Sequence, residues 1–219
     1  MDLERSFRTL FRPAGRETCV SGTAIADVGS TLIKLLRDKL DDLSPDSIKL
    51  HSPADLTEVA TPTRLTLFMY NVLENPYMRF QDTSFPQEGP FRMPPLVLDL
   101  YYMLTAYSTA SDLTERTLEE HEILGRAMSV LHDNASLGDE SLQGGLAGSD
   151  QNLRITLNPV MVPELSDIWT AFSSLNLRPS VCYIVSPLQI QSARQNNPAR
   201  VQKRILQSTF YDVNDSGRS

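Results

Sequence analysis

Histidine and cysteine are scarce in this sequence: 219 residues hold three histidines, two cysteines and one tryptophan. His51, His121 and His132 lie far apart. His121 stands between Glu120 and Glu122 without a His-Glu-x-x-His spacing, so no zinc centre is expected. Cys19 and Cys182 have no Cys-x-x-Cys partner and read as free thiols of a reducing compartment. There is no Gly-x-Ser-x-Gly elbow, hence no sign of a serine hydrolase. Gly144-Gly145 and Gly148 precede no Gly-Lys-Ser/Thr, so they are not a phosphate loop. The paired carboxylates Asp41-Asp42 and Glu119-Glu120 read as solvated helix faces. We therefore expect no catalytic, no cofactor-binding and no metal-ligating residue. Positive charge is also in deficit: 20 Lys and Arg face 27 Asp and Glu, a net charge of −7, which disfavours a nucleic-acid binder. No apolar run approaches the ~18 residues that span a bilayer. The start lacks the pattern of a secretory signal, so synthesis and folding in the cytoplasm are expected.

What is present is an ordinary core-forming composition, 41% apolar and 21% charged. It suits one domain over residues 21–190, with an extension at 1–20 and an arm or tail at 191–219. The chain is organised around Pro94-Pro95 and the run Leu96 to Ser108. Leu96, Leu98, Leu100, Tyr102 and Leu104 fall on one side of a strand; Val97, Tyr101, Met103 and Tyr107 fall on the other. A strand apolar on both faces is covered on both. A buried helix fits less well, since Tyr-Tyr and Val favour a pleated surface and the two prolines offer no polar cap. Asp99, the one charge in the run, should be paired or near an end.

Around this strand, Ile25, Val28, Leu32, Leu35, Leu36, Leu40 and Leu43 predict a helix capped by Thr23 or Ser21 and stopped by Ser44-Pro45-Asp46. Ile48 to His51 and Leu65 to Leu73 predict strands. A second helix starts at Asp112 with Glu115 reaching back; Leu113, Leu124, Ala127, Met128 and Leu131 form its stripe, and it ends near Asn134. The polar, glycine-rich stretch from Asn134 to Asn152 reads as a flexible loop. Leu153 to Leu157 is a strand near an edge. Pro163 opens a third helix with the stripe Leu165, Ile168, Trp169, Phe172 and Leu175, in which Trp169 reads as core or interface anchor before ligand platform. Val181 to Val185 is a short buried strand, and Ile205 to Tyr211 alternates as a last strand or an arm that adds to a sheet edge. The fold class is α/β of α+β type: a mixed central sheet packed by about three helices.

Two segments suggest contact with other molecules. Residues 75–93 carry Tyr77, Phe80, Phe85 and Phe91 among prolines and a glycine, an arm that docks on a neighbour or on its own domain. Leu3, Phe7, Leu10 and Phe11, interleaved with Arg5, Arg8, Arg12 and Arg16, fit a short basic amphipathic helix for a membrane or partner groove, or a loosely ordered extension.

Taken in order, several pieces resemble one family. They are Ile25-Ala26-Asp27-Val28 with Leu32-Leu35-Leu36, Pro94 to Leu104, and Glu120 to Gly125 continuing through Leu131 to Asn134. Leu153 to Pro159, Leu165 to Trp169, and Leu175 to Pro187 complete the set. Over residues 23–190 the chain is similar to the tail-terminator, or cap, proteins of phage-tail-like contractile injection systems. The resemblance implies a non-enzymatic α/β subunit forming a six-fold ring, a homo-hexamer, on the end of the inner tube. That ring halts polymerisation and holds the last sheath layer; its partners are itself, the inner tube protein and a sheath protein whose arm is added to a sheet edge. No catalytic residue or cofactor comes with the family. The particle is released from the cell or stays bound to it. A baseplate or tube-joining subunit, a free-standing adaptor without a ring, and a small α/β enzyme with a scattered site are the competing readings. An arm-accepting ring subunit should leave one edge strand unpaired in isolation.

Overall fold

The computed structural model describes residues 22–58, 62–78, 91–92, 94–172, 175–192 and 195–196. In chain order the elements are α1 (Ala24–Lys39), β1 (Ile48–Leu50), β2 (Leu65–Glu74), β3 (Phe91–Arg92), β4 (Leu96–Ala106), α2 (Leu113–Asp133), β5 (Ser136–Leu137), β6 (Leu153–Asn158), α3 (Val162–Thr170), β7 (Ser180–Ile190) and β8 (Gln195–Asn196). The expectations for residues 1–20, for 79–90 of the aromatic segment and for 205–211 lie outside the described residues.

The apolar run beginning at Leu96 is an internal strand, as its two-faced pattern requires. Six strands form one sheet in the order β1-β2-β4-β7-β6-β5, and β3 pairs with β8 in a separate ribbon. β1 and β2 are parallel; every other pair in the six-stranded sheet is antiparallel. On one face Leu98, Leu100, Tyr102, Leu104 and Ala106 pack with α1 and α2. On the other, Met103 packs with Cys182 and Trp169. Asp99 is paired, its Oδ1 accepting from Asn75 Nδ2 at 2.9 Å. The β4–β7 ladder shifts register between Leu98 and Leu100, opposite Ser186-Pro187; proline has no N–H to give to a ladder.

α1 buries Val28, Leu32 and Leu36, with Leu40 and Leu43 continuing the stripe beyond its end. Thr23 stands at its N-cap position, but its hydroxyl donates to Asp27 Oδ2 at 3.1 Å instead of capping the backbone. Arg37 ties this helix to the sheet, its Nε and Nη2 donating to the Ile48 carbonyl at 3.2 and 2.8 Å. α2 opens as expected, with Asp112 Oδ1 accepting from the amides of Thr114 and Glu115. Its buried face is Glu120, Ile123, Leu124, Ala127 and Leu131. Leu113 does not belong to that face: it is 73% exposed, because the first turns of α2 carry no buried residue before Glu120.

The glycine-rich stretch after α2 also departs from expectation. It is a docked segment, with Leu137, Leu142 and Leu146 all buried in the main core. Each such leucine contributes about 2 kcal/mol of apolar burial, enough to offset much of the ordering cost. The polar groups between them are matched to α1. Thr31 Oγ1 accepts from the Gln143 amide at 3.0 Å, and Asp27 Oδ2 accepts from the Gly145 amide at 3.1 Å. Gly144 sits at φ +61°, and a Cβ there would come within 2.6 Å of Asp27 Cγ. Only glycine lets this backbone lie so close to the helix.

α3 covers the opposite face of the sheet from α1 and α2. Trp169 is buried with Phe68, Tyr70, Leu165, Ile168, Phe172 and Leu175 around it. The helix ends at Thr170, so Phe172 and Leu175 reach this cluster from the chain beyond it. Trp169 and Phe172 meet edge to face at 5.8 Å, as do Phe68 and Phe172 at 5.6 Å.

Candidate assembly interface

Buried polar groups in this molecule serve the core. Burial raises the phenols of Tyr102, Tyr107 and Tyr183 and the thiol of Cys182, keeping all four neutral near pH 7. Tyr70 is pushed up to about 12 by burial, and its hydroxyl accepts from Asn158 Nδ2 at 3.2 Å. None of these groups is poised for proton transfer or nucleophilic attack at neutral pH. Among the described residues no group of His, Cys, Asp and Glu could hold a metal ion, and no helix is long and apolar enough to cross a membrane.

The densest polar cluster knits the end of β4 to α2 and to the start of β7. Glu120 is 8% exposed and accepts from Arg178 Nη1 at 2.6 Å. The Arg178 guanidinium lies 5.2 Å from the centre of the Tyr107 ring. Arg64 pairs with Glu119 and also donates from Nε to the Tyr107 carbonyl at 3.1 Å. Ser108 Oγ donates to Glu119, and that bond, followed by Arg64, holds the Glu119 carboxyl below its ordinary range. Both carboxylates and both guanidinium groups are paired inside the cluster, so it acts as a clamp between elements. Sequence reading took Glu119-Glu120 for a solvated pair. Arg178, more than fifty positions away, is the signal that local spacing could not supply.

The surface features with no internal use are strand edges and apolar side chains. β2 has ten residues, but β1 covers only Leu65, Leu67 and Thr66 between them. From Phe68 to Leu73 its outer edge faces no strand among the described residues. At the other side of the sheet, β5 pairs only with Leu153 and Arg154 of β6. Among the described residues, then, β2 from Phe68 to Leu73 and β6 beyond Arg154 have no outer strand partner.

Several of the exposed apolar residues lie at the two ends of the sheet; Leu113 and Leu118 are exposed on α2 instead. Leu73, Tyr77 and Leu96 are exposed where β2 finishes and β4 begins. Leu157, Met161, Val162 and Leu177 are exposed where β6 finishes and β7 begins. Tyr77 at 88%, Val162 at 71% and Met161 at 69% are the most exposed of those at the sheet ends.

A family model described as the Pvc16 N-terminal domain matches residues 27–204. No curated protein matches the chain. Among solved structures it is similar to the PVC sheath/tube terminator of an extracellular contractile injection system in its extended state, at 17% identity and a TM-score of 0.51, covering 84% of this chain and 64% of that one. It is likewise similar to the anti-feeding prophage cap, a tube terminating cap, at 14% identity and a TM-score of 0.50, covering 84% of this chain and 61% of that one. The chain therefore spans less than two thirds of the length of either protein.

Proposed function

Because the chain belongs to the Pvc16 N-terminal domain family, we propose that it is a structural cap of a contractile injection system. In this reading, copies close into a ring, six in number, on the end of the inner tube. The ring stops tube and sheath polymerisation and holds the last sheath layer. It is not an enzyme. It is made in the cytoplasm and becomes part of the assembled particle. Residues 21–190 supply the domain, and 1–20 and 191–219 are its extensions.

The observation that carries the reading is the fold shared with two tube terminators over 84% of the chain. Two surface features support it: β2 has no outer strand partner from Phe68 to Leu73 among the described residues, and apolar side chains are exposed at both sheet ends. An open edge takes an incoming arm through main-chain hydrogen bonds, which requires little of the arm's sequence. The net charge of −7 suits a ring that holds protein and not DNA.

Assembly of tube and sheath with and without this chain tests the proposal. With the chain, particle lengths should be bounded and one end of each particle should carry its density. Tubes of the same length distribution in both cases, or density at the baseplate end, would overturn it. Leu73→Lys on the open edge should impair capping while leaving the unfolding midpoint of the isolated chain unchanged, because Leu73 is 47% exposed.

A further inference from the structure

We propose that residues 138–152 form a hinged flap that opens as one unit about the Leu137–Leu153 pair, with the Asp27 carboxylate as its latch. The proposal goes beyond the capping reading and does not depend on it.

The flap begins and ends at one place. β5 and β6 pair Leu137 with Leu153, so the two ends of the chain between them sit side by side. Its length falls within the roughly 6–16 residues of a compact loop with closed ends. Among the described residues, its main-chain to main-chain hydrogen bonds close turns inside it. The amide of Leu142 donates to Gly138, Leu146 to Gln143, Ala147 to Gly144 and Ser149 to Leu146, at 3.2 to 3.3 Å. The segment is thus a small body of its own, hung from the β5–β6 neck.

Two attachments hold it closed, and side chains make both. On α1, Thr31 Oγ1 and Asp27 Oδ2 accept from the amides of Gln143 and Gly145. On β7, the Gln151 side chain stands in for a ladder rung. Its Nε2 donates to the Gln189 carbonyl at 2.8 Å, and its Oε1 accepts from the Gln189 amide at 3.0 Å. The β6–β7 register, continued past Arg154, places residue 151 opposite Gln189. The main chain turns aside just before it, with Asp150 at φ +55°. Bonds of this kind part without breaking any strand pairing. Between the attachments, Leu142 and Leu146 supply the buried apolar contact. β4, by contrast, is laddered on both sides. A unit held by two leucines and a few side-chain bonds opens more readily than such a strand.

Asp27 is the latch because it holds the Gly145 amide and because Gly144 packs so near that a side chain there would overlap its carboxylate. Opening carries Leu142 and Leu146 out of the core, so the open form bares apolar surface that the closed form hides. Anything that prefers the bared surface shifts the balance between the two forms by that preference.

Native-state hydrogen exchange read by NMR, on the full chain in urea below the unfolding transition, tests this. The amides of Gln143, Gly145 and Gln189 should be protected about a hundredfold less than those in the middle of β4. Their exchange should barely change with urea, because opening exposes little surface. Asp27→Ala should speed all three about tenfold, the loss of one charge-assisted bond. Gln189 is the decisive reporter, because its amide bonds to Gln151 and not to Asp27. Asp27→Asn, which keeps an acceptor oxygen, should speed them less. Exchange that follows urea as steeply as β4 does would overturn the proposal, by making the segment part of the global unit. An Asp27→Ala effect confined to Gln143 and Gly145 would also overturn it, by showing that the two attachments fray separately. The urea series on the unaltered chain decides the first point even where a variant folds poorly.

Discussion

Gly144→Ala should unfold the molecule more easily by about 2–3 kcal/mol. The first part is conformational: at φ +61° an alanine costs about 1 kcal/mol. The second part is contact. The new methyl would overlap the Asp27 carboxylate and lie within 2.6 Å of its Cγ, so that side chain must leave the Gly145 amide it holds at 3.1 Å. A charge-assisted hydrogen bond lost at a partly exposed site costs about 1–2 kcal/mol. Gly148→Ala is the internal control, because its φ is +75° and an added Cβ meets no atom within 4 Å; it should cost only about 1 kcal/mol. Asp27→Ala combined with Gly144→Ala should cost less than the sum of the single changes by about 1 kcal/mol, since the overlap disappears. Urea unfolding followed by tryptophan fluorescence measures all four proteins, with the midpoint shifting at constant m. If Gly144→Ala and Gly148→Ala agree within about 0.5 kcal/mol, the close docking of this segment on α1 is wrong.

Two further expectations can be checked on the isolated chain. Trp169→Ala should cost about 3–5 kcal/mol by circular dichroism, whereas Trp169→Phe should cost less, because the buried indole N–H has no partner to lose. Glu119 has a depressed carboxyl, so its contribution to stability is complete above the ordinary value of 4.5 and is lost as pH falls through its lower folded value. The acid limb of the melting temperature between about pH 5 and 3 should therefore flatten in Glu119→Gln; a limb of unchanged slope would count against the Ser108 and Arg64 contacts.

Periodicity made much of the fold readable. Leu96 to Ala106 declared an internal strand because both alternating sets are apolar, and Val28, Leu32 and Leu36 declared a helix face. The stretch after α2 was hidden because its three buried leucines, at 137, 142 and 146, follow neither a helical nor a strand period. Serine, glycine and aspartate around them read as solvent-loving, while in the structure several of these polar groups bond to α1 or to the segment's own backbone. Leu113 misled for the opposite reason: it keeps the helical period, but the turn that carries it is exposed. The parallel β1–β2 pair and the strand order depend on long-range pairing that no local pattern encodes. Which part of β2 lacks a strand partner among the described residues was not legible either, since it depends on β1 being only three residues long.

The position of β7 also has a mechanical meaning. The chain's last described segment leaves the sheet from Ile190, the end of an eleven-residue strand with β4 on one side and β6 on the other. A pull applied at Gln195–Asn196, once their pairing with Phe91 and Arg92 opens, loads that strand lengthwise. Its ladder bonds then resist together in shear, whereas a short border strand such as Ser136–Leu137 would peel bond by bond. A lengthwise load on β7 is thus shared by the whole ladder on both of its sides.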